Sequence, residues 1–220
     1  KDVDYSKGIA ITSGIYPDKN THIEACRYGK GQGAMALLAT ILVDKHDFIP
    51  RPLLWLWNII LHPIIFLRSL NPFGVAEKST YLLVMQTFSN YMRFDYKRRW
   101  WRFGKRSMNS NCNTEQKVPA HIPVANEYTK RMAEKVNGDP VASIPEILLN
   151  TSTTAHILGG CIMADSPEKG VTDYRGHIFG YDNLFVADGS IVPSNLGVNP
   201  SLTITALAEY IIDQFPEKRQ

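Results

Sequence analysis

The chain has 220 residues, 44% hydrophobic and 20% charged, enough for one domain with a sizeable core or two small ones. Its formal net charge of +3 is too weak to imply a nucleic-acid partner by itself, and none is expected. Cys26, Cys112 and Cys161 are widely spaced and form no Cys-x-x-Cys pair, which argues against a disulfide framework or a zinc knuckle and for a reducing compartment. The chain opens Lys-Asp-Val-Asp-Tyr, with no initiator Met and no signal-peptide pattern, as expected of a piece of a longer protein.

Residues 9–16 and 22–27 read as strands, joined by a turn over Pro17-Asp-Lys-Asn20. Residues 33–43 are apolar on nearly every side and predict a buried helix. From Tyr81 to Tyr96 the pattern is strand-like. Leu82 to Met85 is a continuous apolar run, and Met92, Phe94 and Tyr96 then alternate with Arg93, Asp95 and Lys97, which predicts a hairpin. Pro123 opens an amphipathic helix with Val124, Tyr128, Met132 and Val136 on one stripe and Glu127 facing Arg131; Asn137-Gly138 ends it. A β run at 183–187 and a last helix from Pro200, burying Leu202, Leu207, Ile211 and Phe215, complete the set. Strands grouped apart from helices predict an α+β fold, a mostly antiparallel sheet with helices packed on one face.

Two segments stand apart. Residues 53–67 are strongly apolar, but 15 residues interrupted by Pro63 fall short of a membrane span, which needs about 20. A buried helix or hairpin is the plain expectation, and a lid or membrane-facing element for a greasy substrate the sharper one. Residues 97–106 interleave six cations with three aromatics. Anionic lipid or nucleic acid suits such a stretch, though a solvated hairpin end with its aromatics packed inward is the simpler expectation.

The chemistry concentrates in the last third. Ala155, Ile157 and Leu158 give His156 an apolar setting, and Gly159-Gly160 leaves the backbone beside it uncovered. A histidine so placed suits proton removal from an alcohol near neutral pH. Asp188-Gly189 sits where a strand must end, and Gly189 permits close approach of a ligand to the backbone. Asn199 and Pro200 are favoured residues for a helix start, whose free N–H groups at Ser201 and beyond would stabilise negative charge. The remaining histidines show no paired metal-ligand spacing, so no metal site is expected.

Taken in order, His156-Ile-Leu-Gly-Gly-Cys161, Tyr181-Asp-Asn-Leu-Phe-Val-Ala-Asp-Gly-Ser190 and Gly197-Val-Asn-Pro-Ser-Leu-Thr-Ile-Thr-Ala206 resemble the C-terminal signature of the glucose–methanol–choline (GMC) flavin oxidoreductases. Thr21-His-Ile-Glu24 and Val84-Met-Gln-Thr-Phe resemble its cholesterol-oxidase-like branch. The resemblance implies FAD as cofactor and a bulky apolar alcohol, such as a sterol, as substrate. It implies that His156 orients and deprotonates the substrate hydroxyl, and that Asn199 meets both that oxygen and the flavin edge. Asp188 and Gly189 would lie along the ribityl-pyrophosphate arm, with Pro200 and Ser201 at the pyrimidine end of the ring, in keeping with the helix-dipole argument. Glu24 is the match for the branch's isomerisation base. Residues 1–150 would then be the substrate-binding domain and 151–220 the catalytic, FAD-contacting segment, with an N-terminal FAD-binding domain as the missing partner. A cytoplasmic or peripheral-membrane location is expected.

Two other readings remain at this point. Gly29-Lys-Gly31-Gln-Gly-Ala34 fits the Gly-x-Gly-x-x-Ala form of a nucleotide-binding loop, as in a free-standing nucleotide-binding domain, although the preceding segment is polar for a central parallel strand. The apolar 53–67 run and the basic-aromatic stretch would instead suit a lipid- or sterol-binding module without catalysis.

Overall fold

The computed structural model describes residues 3–111, 118–154 and 156–215; Cys112 and Ala155 lie outside them. In chain order the elements are β1 (Ile11–Asp18), β2 (Thr21–Cys26), β3 (Ala39–Ile41), α1 (Arg51–Leu61), α2 (Pro63–Ser69), α3 (Val75–Lys78), β4 (Tyr81–Gln86), β5 (Arg93–Arg98), β6 (Arg106–Asn111), α4 (Pro123–Val136), β7 (Val141–Ser143), α5 (Ile144–Leu148) and α6 (Ser201–Asp213). The class is α+β, with antiparallel pairing of β1 with β2, β3 with β7, and β5 with β6. Among the described residues the strands divide into three small sheets, and β4 joins the outer side of β2. The chain forms two compact units, residues 1–84 with 90–153 and residues 85–89 with 154–220.

In the first unit the expected turn closes the β1–β2 hairpin: the Asp18 carboxylate accepts the Asn20 backbone N–H at 2.7 Å. Tyr16 stacks flat on His22, with ring centroids 4.2 Å apart. The helix expected over 33–43 is replaced by a 3-10 turn at Gly33–Leu38 and strand β3. The continuous apolar run misled because its outer residues, Leu37 and Leu38, stay exposed while Thr40 is fully buried. Thr40 is needed inside: its hydroxyl accepts the Trp55 indole N–H at 2.8 Å, pinning α1 to β3.

The apolar 53–67 run forms α1 and α2, bent by 108°. Pro63 causes the break, since it has no N–H to continue the ladder and drives His62 out of helical geometry (φ −131°, ψ 56°). The expectation of a buried element is corrected: Leu53, Leu56, Trp57, Ile60, Leu61, Ile64 and Leu67 are exposed. The inward side is held by Trp55 against Phe66 and by buried Arg51. Among the described residues no single helix is long and apolar enough to cross a membrane.

The hairpin expected between the two halves of 81–96 does not form. Instead β4 pairs with β2, and β5 pairs with β6 in a separate hairpin. Helix α4 starts at Pro123 and ends on Asn137 in the left-handed region, as its capping residues dictate, and Glu127 and Arg131 form the expected ion pair at 2.5 Å. Its most buried residues are Asn126 and Ala133, so the buried line is rotated from the predicted stripe, and Val136 is exposed. Asn126 is drawn in by polar contacts, donating to Asp44 Oδ1 at 2.9 Å and lying 3.2 Å from His121 Nε2.

Burial first, and then the Arg51 guanidinium, hold the pKa of His121 below the ordinary 6.5. The folded protein therefore binds this proton less readily than the unfolded chain. His121's contribution is complete above pH 6.5 and is lost as pH falls below it. Melting temperature should decline through that window, and His121→Gln should flatten the decline; an unchanged slope would assign it to other groups.

Candidate functional site

In the second unit, residues 159–163 run beside 189–191. Gly159, Cys161 and Met163 donate backbone N–H groups to the carbonyls of Gly189, Ser190 and Ile191 at 3.2, 3.0 and 3.0 Å. Gly159 and Gly160, at φ 79° and 112°, supply the left-handed turn that starts this ladder. Gly189 is where three segments meet. A Cβ there would stand 3.0 Å from Ile204 Cδ1 of α6 and 3.2 Å from the Ile157 carbonyl. The fold thus brings together the His156 segment, the Asp188-Gly189 turn and the first turns of α6, while His156's own N–H is held by Thr154 Oγ1 at 3.0 Å.

The 183–187 run is not a regular strand. It pairs through the isolated bridge between Phe185 and His177, flanked by the Ile178 N–H donating to the Leu184 carbonyl at 2.9 Å and the Val186 N–H donating to the Gly176 carbonyl at 2.8 Å. Asp188 ends the run and caps the short turn after it, accepting the Ser190 N–H at 2.8 Å. Hydrogen bonds from the Ser190 hydroxyl and N–H hold its carboxyl below the usual carboxylate range, so an exposed negative charge persists here.

Helix α6 begins one residue later than expected. Pro200 occupies its cap, fully buried, and offers no side-chain acceptor to the N–H groups that follow. Asn199 precedes the cap, half-buried, and Ser201 is exposed. Of the four residues predicted to be buried along α6, Ile211 is; Leu207 is half-buried, and Leu202 and Phe215 are exposed. Ile157, Val198 and Leu202, the apolar neighbours of His156, Asn199 and Ser201, all face solvent.

Sequence reasoning missed the clamp that carries Asn199. The Asn195 side-chain amide donates to the carbonyls of Gln86 and, at 3.3 Å, Phe88, while its oxygen accepts the Gly197 N–H at 2.9 Å. The Asn-x-Gly spacing, a local Asx-turn signal, pointed to the last of these bonds. Gly197 is left-handed (φ 68°), and a Cβ there would overlap Thr87 Cγ2. Gly197→Ala should therefore destabilise by about 2–4 kcal/mol, combining left-handed strain with overpacking. Adding Thr87→Ser should recover the overpacking share in denaturant titrations; no recovery would place the whole cost in the backbone.

Glu24 belongs to the first unit, whereas the other candidates belong to the second. Its side chain is 12% exposed and its Oε1 lies 3.6 Å from Nε2 of buried His22, two residues back on the same strand face. His22 Nδ1, also buried, has no hydrogen-bond partner among the described residues. His22 was the second residue that sequence reasoning passed over, though its i, i+2 relation to Glu24 was visible.

The chain is similar to known proteins over nearly its whole length. A family model described as GMC oxidoreductase matches residues 88–208, more than half the chain. The chain is 48% identical over 219 residues to a cholesterol oxidase of Acinetobacter baumannii, covering 99% of this chain and 39% of that protein. A cholesterol oxidase of Mycobacterium tuberculosis is 39% identical over 221 residues, covering 99% and 38%. A long-chain-alcohol oxidase of Arabidopsis thaliana is 40% identical over 70 residues, covering 32% and 9%. The chain spans about two fifths of the length of the two cholesterol oxidases. The family model covers the gathered segments from His156 through the first two turns of α6, and on that match the chain belongs to the GMC oxidoreductase family.

Proposed function

We propose that the complete protein is an FAD-dependent alcohol oxidoreductase acting on a bulky apolar alcohol of the sterol class. The observation that carries this reading is the convergence of the His156 segment, the Asp188-Gly189 turn and the start of α6 on Gly189. In this reading residues 1–150 form the substrate-binding part and 151–220 the part that meets the cofactor. The names of the two cholesterol oxidases support the substrate class.

The residues present suit a flavin. The N–H groups at the start of α6 carry no side-chain cap from Pro200 and lie at the positive end of the helix dipole. The exposed neighbours Ile157, Val198 and Leu202 offer apolar surface that a flat aromatic ring would cover. Asp188, Gly189, Asn199, Pro200 and Ser201 are the residues assigned to hold it, and when bound it supplies a hydride acceptor. His156 takes the proton of the substrate hydroxyl, and the Asn199 amide orients that oxygen. Glu24, desolvated beside His22, serves as a base for moving a proton in double-bond isomerisation.

Incubating the complete protein with a 3β-hydroxysterol, a long-chain primary alcohol and a short alcohol, and following carbonyl product, tests the proposal. Ketone from the sterol in preference to product from the others is expected. Binding of sterol without turnover would replace the enzyme with a carrier.

A further inference from the structure

The basic-aromatic hairpin reverses its sequence expectation, because its aromatics do not pack inward. Residues 100–106, from the β5–β6 connection to the first residue of β6, are all exposed; Trp100 is 85% and Phe103 97% accessible. Phe103 sits in the left-handed region at the turn. Behind the tip the pairs Phe94↔Ser110 and Tyr96↔Met108 place three apolar side chains on one face, and all three are exposed.

The charge of the hairpin is one-sided. Residues 93–111 hold seven cations and one carboxylate, whereas the whole chain is only +3. That carboxylate, Asp95, is taken by Arg99 and by Lys97 at 3.4 Å. Among the described residues Arg98, Arg102, Lys105 and Arg106 make no ion pair. Arg98 and Arg106 stand directly opposite each other across the strands, a like-charge pairing that opposes hairpin formation. An anionic surface would relieve it.

We propose that this hairpin docks the protein on an anionic lipid surface, with Arg98, Arg102, Lys105 and Arg106 at the headgroups and Trp100, Trp101 and Phe103 at the acyl boundary. The geometry favours lipid over nucleic acid. Single-stranded nucleic acid asks for a groove with stacking platforms, whereas here Trp100 and Trp101 meet edge-to-face at 86° on a projecting tip. The apolar face behind the tip also finds its complement in hydrocarbon, not in phosphate.

Co-sedimentation of the complete protein with vesicles of phosphatidylcholine, alone or mixed with phosphatidylglycerol, tests this. Binding should require phosphatidylglycerol and weaken with added salt. Replacing Arg102, Lys105 and Arg106 together by alanine should lower partitioning on the order of a hundredfold, at roughly a factor of five per cation. Trp100→Ser with Trp101→Ser and Phe103→Ser should also lower it, with melting temperature unchanged. Leu56→Ser with Trp57→Ser and Ile60→Ser, on the other exposed apolar surface, should leave the anionic preference intact. Equal binding to both vesicle types, wild-type binding by the alanine variant, or capture of a single-stranded oligonucleotide without vesicle binding would overturn the proposal. So would absence of vesicle binding with the tip amides protected from hydrogen exchange, since the rest of the protein would then cover the hairpin.

Discussion

Replacing His156 by alanine in the complete protein is expected to slow flavin reduction by the alcohol by about 10²–10⁴-fold, the usual range for loss of a positioned general base. Asn199→Leu should slow it by roughly 10²–10³-fold, as for loss of a polarising donor at a reacting oxygen. Neither change should alter flavin affinity by more than about tenfold, the scale of one hydrogen bond. The asymmetry follows from the fold. The ladder between 159–163 and 189–191 and the packing of Gly189 on Ile204 use backbone and apolar groups, so both variants keep the scaffold. Near-wild-type reduction by either variant in stopped-flow absorbance would remove that residue from the role.

The second large effect is on stability, in the first unit. Arg51, at the start of α1, is 7% exposed; its Nη2 donates to Glu146 Oε1 at 2.6 Å and to the Val43 carbonyl at 3.1 Å. Its Nη1 donates to the Glu146 carbonyl at 3.2 Å. One side chain therefore joins α1, the segment after β3 and α5. Glu146→Gln would leave a buried guanidinium without its counter-charge, and about 3 kcal/mol should be lost, at the low end because Glu146 is partly exposed. Arg51→Met with Glu146→Leu should cost less than the two single changes summed, since the double change leaves no orphaned charge. Additive losses in urea titrations would show that the pair is not coupled.

The sequence made some of this legible and concealed the rest for physical reasons. Helix α4 was readable at both ends because Pro123 and Asn137 act through local backbone geometry, which needs no tertiary information. The order of the His156, Asp188 and Asn199 segments was readable as a resemblance, but their meeting point was not. Ile157 and Ile204 close in on Gly189 from positions distant in the chain, leaving little space for a Cβ there. The 33–43 run failed as a helix because hydrophobicity does not reveal that buried Thr40 must receive the Trp55 N–H. The outward faces of α1–α2 and of the β5–β6 tip were hidden for the opposite reason. Apolar composition predicts burial, and exposure at Trp57 or Phe103 appears only once the surrounding chain is in place. The Gly29–Ala34 loop shows the same limit. Its glycine spacing fits a nucleotide-binding turn, but β2 before it pairs antiparallel with β1, and a 3-10 turn leading to β3 follows instead of a crossover helix. No βαβ unit exists there, so that reading falls.

The proposed alcohol oxidation requires that a sterol reduce the flavin of the complete protein. Anaerobic titration of the complete protein with a 3β-hydroxysterol measures this most directly. The oxidised flavin absorbance should bleach as an equivalent amount of ketone appears. A flavin-loaded protein that binds sterol yet neither bleaches nor forms ketone would contradict it.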